Sequence, residues 1–142
     1  MTADEGGFQV LQPPGWNRPR GYANGVMARG RIVVLSGMIG WNPIEQRFEA
    51  NDFIGQVEQA LHNIITVLHE AGADTEHVVR LTWFVTDREE YLANQSQLGQ
   101  AYRSVMGTHF PAMSVVVVNG LVEAGAKVEI EATAIIPDEP SP

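Results

Sequence analysis

Cysteine is absent from the 142-residue chain. That excludes a disulfide scaffold, a thiol nucleophile, an iron–sulfur site and a cysteine-ligated zinc. Positive charge is scarce: nine Lys and Arg stand against seventeen Asp and Glu, for a net charge of −8. No basic stripe forms, which argues against nucleic-acid binding through phosphate neutralisation. It argues equally against attraction to an anionic membrane. Long apolar runs are missing too. None exceeds Val115–Val118, far short of a bilayer span. Met1–Gly7 carries two acids and no apolar run, so no signal peptide is read there. The expectation is a cytoplasmic protein with neither a nucleic-acid nor a membrane partner. Internal repeats and low-complexity blocks are also lacking.

What is present suits a globular chain. Apolar residues make up 44%, and at this length about 70% of the unfolded surface can be buried. Residues 1–142 read as one domain, with loose ends at 1–7 and 137–142. Arg31–Ser36 is β-rich and stops at Gly37. Asn24–Ala28 is expected to pair with it across a tight turn at Arg29-Gly30. Gly40–Ala50, with Pro43, reads as a loop.

A helix capped by Asn51 or Asp52 is predicted to run to about Ala71, with Gly72 just past its end. Phe53, Val57, Ala60, Leu61, Ile64, Ile65 and Leu68 form its apolar stripe. Gln56, Gln59, His62, Asn63 and Glu70 fall on the other side. His77–Thr86 reads as a strand with Val79, Leu81, Trp83 and Val85 on one side. A second helix is expected from Glu89 to Val105, with Leu92, Leu98, Tyr102 and Val105 inward. Ala112–Val118 reads as a strand whose successive valines imply burial on both faces. In Ala126–Ile136, Val128, Ile130, Ala132 and Ala134 alternate with Lys127, Glu129, Glu131 and Thr133. Two helices can cover only one face of the resulting sheet, so the other face must be polar or meet a second subunit. The valine-rich strand favours a subunit, and a homo-oligomer is expected.

Candidate chemistry is sparse. His62 and His69 are two helical turns apart and read as surface residues rather than ligands. His77 opens a strand. His109 precedes Phe110-Pro111, and a general base there is the minor reading. No nucleophile elbow, phosphate-binding glycine loop or paired-aspartate metal motif occurs. Glu129 and Glu131 lie on one strand face, roughly 7 Å apart. They are either solvated or, in a cleft, placed to orient or activate water. Arg80 and Thr82 could share that cleft. Trp16, Tyr22 and Trp41 form either an aromatic wall for a small planar ligand or a loop packed on the sheet.

Gly21-Tyr22-Ala23-Asn24, Leu35-Ser36-Gly37, Val79–Asp87, Phe110-Pro111-Ala112-Met113-Ser114 and Lys127–Ala132 occur in this order. Together they resemble the RidA/YjgF family, also called endoribonuclease L-PSP or translation inhibitor. The resemblance runs from about Gly21 to Ile136. It implies an α+β, chorismate-mutase-like fold, with a mixed six-stranded sheet and two helices on one face. It also implies a homotrimer around a central barrel, with clefts between subunits. The family activity it implies is hydrolysis of imines and enamines such as 2-aminoacrylate, with no metal or organic cofactor.

Residue by residue, Tyr22 matches the family's cleft tyrosine. Ser36 and Gly37 match the strand end that meets the ligand. Glu129 matches the glutamate that holds the hydrolytic water. The family arginine that pairs with the substrate carboxylate is Met113 here, in Ala112-Met113-Ser114. A thioether cannot replace a guanidinium fork. The segment after Ser36-Gly37 is Met38-Ile39-Gly40-Trp41, where the family has Gln-Ile-Pro. The cleft therefore loses a cation and gains sulfur and aromatic surface at Met113 and Trp41, and Arg18 or Arg20 stands near enough in sequence to substitute for the missing cation. Two readings follow. One is a hydrolase for a less acidic, more apolar imine or enamine. The other is a trimeric binding protein that holds a small metabolite without turnover. Ribonuclease action, suggested by a family name, is opposed by the charge.

Overall fold

The computed structural model describes residues 8–138. Its elements are, in order, β1 (Phe8–Leu11), β2 (Gly25–Ala28), β3 (Arg31–Val34), β4 (Met38–Ile39), α1 (Phe53–Glu70), a 3-10 turn (Thr75–His77), β5 (Val78–Val85), α2 (Arg88–Ala93), α3 (Gln95–Met106), β6 (Ala112–Val117) and β7 (Val128–Ile136). The ends expected to be loose lie outside these residues, apart from Pro137 and Asp138.

Alternation in β7 decides the layers. Val128, Ile130, Ala132 and Ala134 are buried, whereas Glu129, Glu131 and Thr133 face the other way. β7 pairs antiparallel with β3, β4 and β5, and β5 pairs parallel with β6. The sheet is mixed, as expected, but it has five strands rather than six. The sixth strand is in a separate two-stranded ribbon, because β2 pairs with β1 and not with β3. Between β2 and β3, Gly30 (φ 149°) packs against the Ile136 carbonyl with no room for a Cβ. The chain runs on beside β7 as β3 instead of folding back on β2. Phe8–Leu11, unread in the sequence as a strand, supplies β2 with its ladder.

α1 begins at Asp52, whose carboxylate accepts from the Gly55 N–H at 2.9 Å. It ends at Ala71, followed by Gly72 at φ 76°. Val57, Ala60, Leu61, Ile64 and Leu68 are fully buried on its inner stripe, each large side chain worth about 1.5–3 kcal/mol of burial. Two residues assigned to its polar side are buried instead. Gln56 donates to the Ala50 and Gly125 carbonyls and accepts from the Lys127 N–H. Asn63 donates to the Ile39 and Trp41 carbonyls and accepts from Gln59. Polar character did not keep them out, because each amide replaces water with backbone partners of adjoining segments.

The second helix is two helices. Asn94 breaks it at φ −118°, and its side chain donates to the Glu90 carbonyl at 2.7 Å. The break turns Leu92 out to solvent, while Leu98, Ala101, Tyr102 and Met106 face the core. In β5 a bulge between Val78 and Arg80 shifts the phase, so Val78 and not Val79 joins Leu81, Trp83 and Val85 inside. His77 belongs to the 3-10 turn, where its Nδ1 accepts from the Asp74 N–H. α1 and α3 pack on the inner face. No helix among the described residues covers the other, which presents Ile32, Val34, Thr82, Phe84, Glu129 and Glu131. Val115–Val117 are exposed on the edge strand β6, contrary to the two-sided burial inferred from their run. No helix is long and apolar enough to cross a membrane among these residues.

Candidate functional site

Glu129 is positioned by strand geometry on both sides. Its β7 register sets it opposite Ile39 on β4 and Phe84 on β5, on the uncovered face. Its carboxylate lies against the Cα of Gly37, in the space a Cβ there would need. An added Cβ at position 37 would therefore push the Glu129 carboxylate out of this place, although the φ of Gly37 is ordinary. Gly37, Met38, Ile39, Trp41 and Glu129, with Val122 from the loop before β7, line a hollow of about 290 Å³. Trp41 is backed by Phe48, 6.0 Å away between ring centroids. Asn63, which holds the Trp41 and Ile39 carbonyls, also reaches this hollow. It is a site residue missed in the sequence; its signal, an amide on a helix flank four residues from Gln59, is too common to single out.

Glu131 does not share this position. It is exposed and faces Thr82 across the strands, and Arg80 Nε sits 3.4 Å from the Thr82 hydroxyl. Arg80 and Thr82 therefore neighbour Glu131 and not Glu129.

Tyr22 and Met113 lie elsewhere, in a second hollow of about 540 Å³. Met113 pairs with Leu81 on the helix-covered side of β6. Trp83, Tyr102 and Phe110 form the aromatic wall of this hollow, and Arg20 and Arg103 also line it. Arg18 does not. The sheet order puts the two hollows at opposite edges, one beside β4 and one beside β6. Within one chain, Tyr22 and Glu129 do not meet. The three aromatics expected together are likewise apart, since Trp16 is exposed and lines neither hollow. Ser36 is exposed next to Gly37, Ser114 faces Thr82 on the uncovered side, and Ala112 bridges to Ala23. None of the three lines a hollow.

The histidines are structural or solvated. His62 is exposed, and His69 is exposed beside Asp74 at 3.6 Å. His109 Nε2 is 2.7 Å from the Val78 carbonyl, so it donates there. That contact commits the ring to holding the loop before β6 against β5. The Tyr102 hydroxyl donates to the His109 carbonyl at 2.6 Å, and burial pushes this phenol well above its ordinary pKa. No cluster of three or more potential metal ligands exists among the described residues.

The fold is thus an α+β chain with a mixed sheet, helices on one face only, and a glutamate on the other beside a strand-end glycine. The family model described as endoribonuclease L-PSP matches residues 17–136, and the chain belongs to this family, the RidA/YjgF family. It is 34% identical over 106 residues to Protein DfrA of Myxococcus xanthus, covering 75% of this chain and 77% of that one. It is 30% identical over 105 residues to human 2-iminobutanoate/2-iminopropanoate deaminase, covering 74% and 73%. The solved structure of the Rid-family protein YyfB from Yersinia pestis superposes with a TM-score of 0.80 at 29% identity, over 92% of this chain and 99% of that one.

Proposed function

We propose that the protein is a cofactor-independent hydrolase of small imines or enamines, acting in a cleft completed by a second copy of the chain. The observation that carries this reading is the Glu129 carboxylate seated against Gly37 in a hollow open to ligand. The relationship to imine deaminases supports it. Glu129 accepts a proton from water as the water oxygen bonds to the imine carbon and the C=N pair moves to nitrogen. The proton passes to that nitrogen to give a carbinolamine, Glu129 then carries the hydroxyl proton to the amine, and ammonia leaves as the carbonyl forms. One imine and one water give one carbonyl compound and one ammonia.

Two hollows at opposite sheet edges favour an intersubunit site. A neighbour's Tyr22 and Met113 would face Glu129 across the interface, and a homotrimer built around the uncovered sheet faces would place them so. Met113 removes the family cation and favours a substrate less dependent on a carboxylate anchor at that point. Gly37 and Trp41, with a neighbour's Met113, are the substrate-contact residues of this reading, with Tyr22 and Glu129 as its catalytic pair; Ser36, Ala112 and Ser114, which line neither hollow, would reach substrate only where the second copy completes the cleft. A net charge of −8 weighs against ribonuclease action.

The test is turnover of a panel of imines by wild type and Glu129→Gln, which keeps shape but cannot take the proton. A loss of 10²-fold or more with unchanged mass supports the reading. Equal rates remove Glu129 from the mechanism. Tight binding without turnover of any imine favours a non-catalytic binding protein.

A further inference from the structure

The hollow beside β4 is mostly apolar. Met38, Ile39, Trp41, Pro43, Val67 and Val122 line it, and Val67 and Val122 are exposed. Trp41 is fixed by two neighbours: its carbonyl accepts from Asn63 at 2.9 Å, and its ring meets Phe48. An indole attracts a cation as well as apolar surface, and the Met38 thioether is polarizable.

The polar side chains of this hollow are nearly all of one kind. The Asn63 amide donates to the Ile39 and Trp41 carbonyls, and its oxygen accepts from Gln59. The Thr66 hydroxyl donates to the His62 carbonyl at 2.9 Å, which leaves its lone pairs. Glu123 and Glu129 bring two carboxylates, and neither is in an ion pair among the described residues. None of the chain's nine Lys and Arg lines the hollow. Apart from the Trp41 indole N–H, its side chains have acceptors to offer and no donor. An apolar groove with unopposed negative charge complements an alkyl cation, whereas a carboxylate entering it meets like charge.

We propose that this hollow takes the cationic end of the ligand, an ammonium group on an alkyl chain. The chain lies on Met38, Trp41 and Val122, and the charge sits between the indole and the Glu123 carboxylate. Glu129 stays free to take the proton of water. The proposal deepens the hydrolase reading and rests on it only for the reacting bond: the imine handled is an aminoalkyl imine. Its cation is recognised at the opposite sheet edge from Met113.

Binding to the full-length protein is followed by NMR shift titration with three probes of one chain length: n-butylammonium, 1-butanol and butanoate. Butylammonium binds about fivefold or more tightly than 1-butanol, and butanoate binds more weakly than either. Added salt narrows the gap. Trp41→Leu keeps an apolar contact but loses the π face, and it lowers the preference for butylammonium over 1-butanol about two- to fivefold. Glu123→Gln, at an exposed position, lowers the same preference by a similar factor and gives a second reading if Trp41→Leu fails to fold. Equal binding of butylammonium and 1-butanol overturns the proposal, and is the result expected if a cation of a neighbouring copy already fills the hollow. A preference unmoved by Glu123→Gln overturns it too. Imine turnover without a preference for the cation overturns this proposal and leaves the hydrolase reading in place. Preference for the cation with no imine turnover upholds the site and removes the hydrolase.

Discussion

Glu129 and Gly37 are a pair at the residue scale, because the glutamate's carboxyl occupies the space beside the glycine. A methyl group at position 37 would occupy the space of the Glu129 carboxyl. Gly37→Ala therefore displaces the acid while leaving the inner face of β7 untouched. Turnover should fall at least tenfold with Tm nearly unchanged, read by a coupled ammonia assay and a thermal melt. Glu131→Gln is the control, because that side chain is exposed and faces Thr82. It should change rate less than twofold. Tyr102 illustrates a different residue-level effect. Burial raises its phenol pKa above the ordinary value of 10.0. The folded state therefore holds its proton more tightly than the unfolded chain, and stability from this group is complete below pH 10 and is lost as pH rises beyond it. Melts across pH 8–11 should show Tm falling above about pH 10. Tyr102→Phe, although less stable throughout, should flatten that fall; an unchanged slope would remove the phenol as its cause.

Among the elements, α1 is more than a cover for the sheet. Gln56 and Asn63 face it toward the loops and hold the chain before α1, β4 and the start of β7 through five hydrogen bonds to backbone groups. Each amide is buried, so deletion strands backbone groups as well as removing a bond. Gln56→Ala should cost about 1–3 kcal/mol, seen as a Tm drop of roughly 3–10 °C for a chain of this size. Asn63→Ala should do the same and also loosen Trp41, raising KM more than it lowers kcat. A variant at either position with wild-type Tm would mean that water replaces the amide without cost. The break at Asn94 works in the opposite sense. It frees Leu92 and lets α3 align Leu98, Tyr102 and Met106 on the core, and it places Glu90 3.3 Å from Lys127 Nζ.

For the whole molecule, the uncovered sheet face and the exposed edge valines leave apolar surface in water, with Ile32 and Val34 each more than two-thirds exposed. The proposed assembly covers it. Light scattering should give a mass near three chains. Val116→Lys, on the same face as Phe84, should give monomers that stay folded and lose turnover, because Glu129 and Tyr22 would no longer meet. A folded monomer with full activity would refute the intersubunit site.

Local pattern was enough for much of this protein. The period-2 alternation of Val128–Ala134 and the period-3.6 stripe from Phe53 to Leu68 each name a buried face, because side-chain direction follows directly from backbone repeat. A cap at Asn51 or Asp52 and the Gly72 stop were legible for the same reason, as interactions within a few residues, and the structure puts the cap at Asp52. The landmarks from Tyr22 to Glu129 were legible as a family order. Partnering was not. That β2 takes β1 while β3 takes β7 is a long-range pairing, with the β3 partner about a hundred residues away. Whether Gln56 and Asn63 are buried depends on carbonyls that only the folded loops bring to them. The bulge after Val78 and the break at Asn94 shift the phase of otherwise regular patterns. The division of the site residues between two sheet edges follows from strand order, and strand order is a non-local choice among ladders whose local signals are alike.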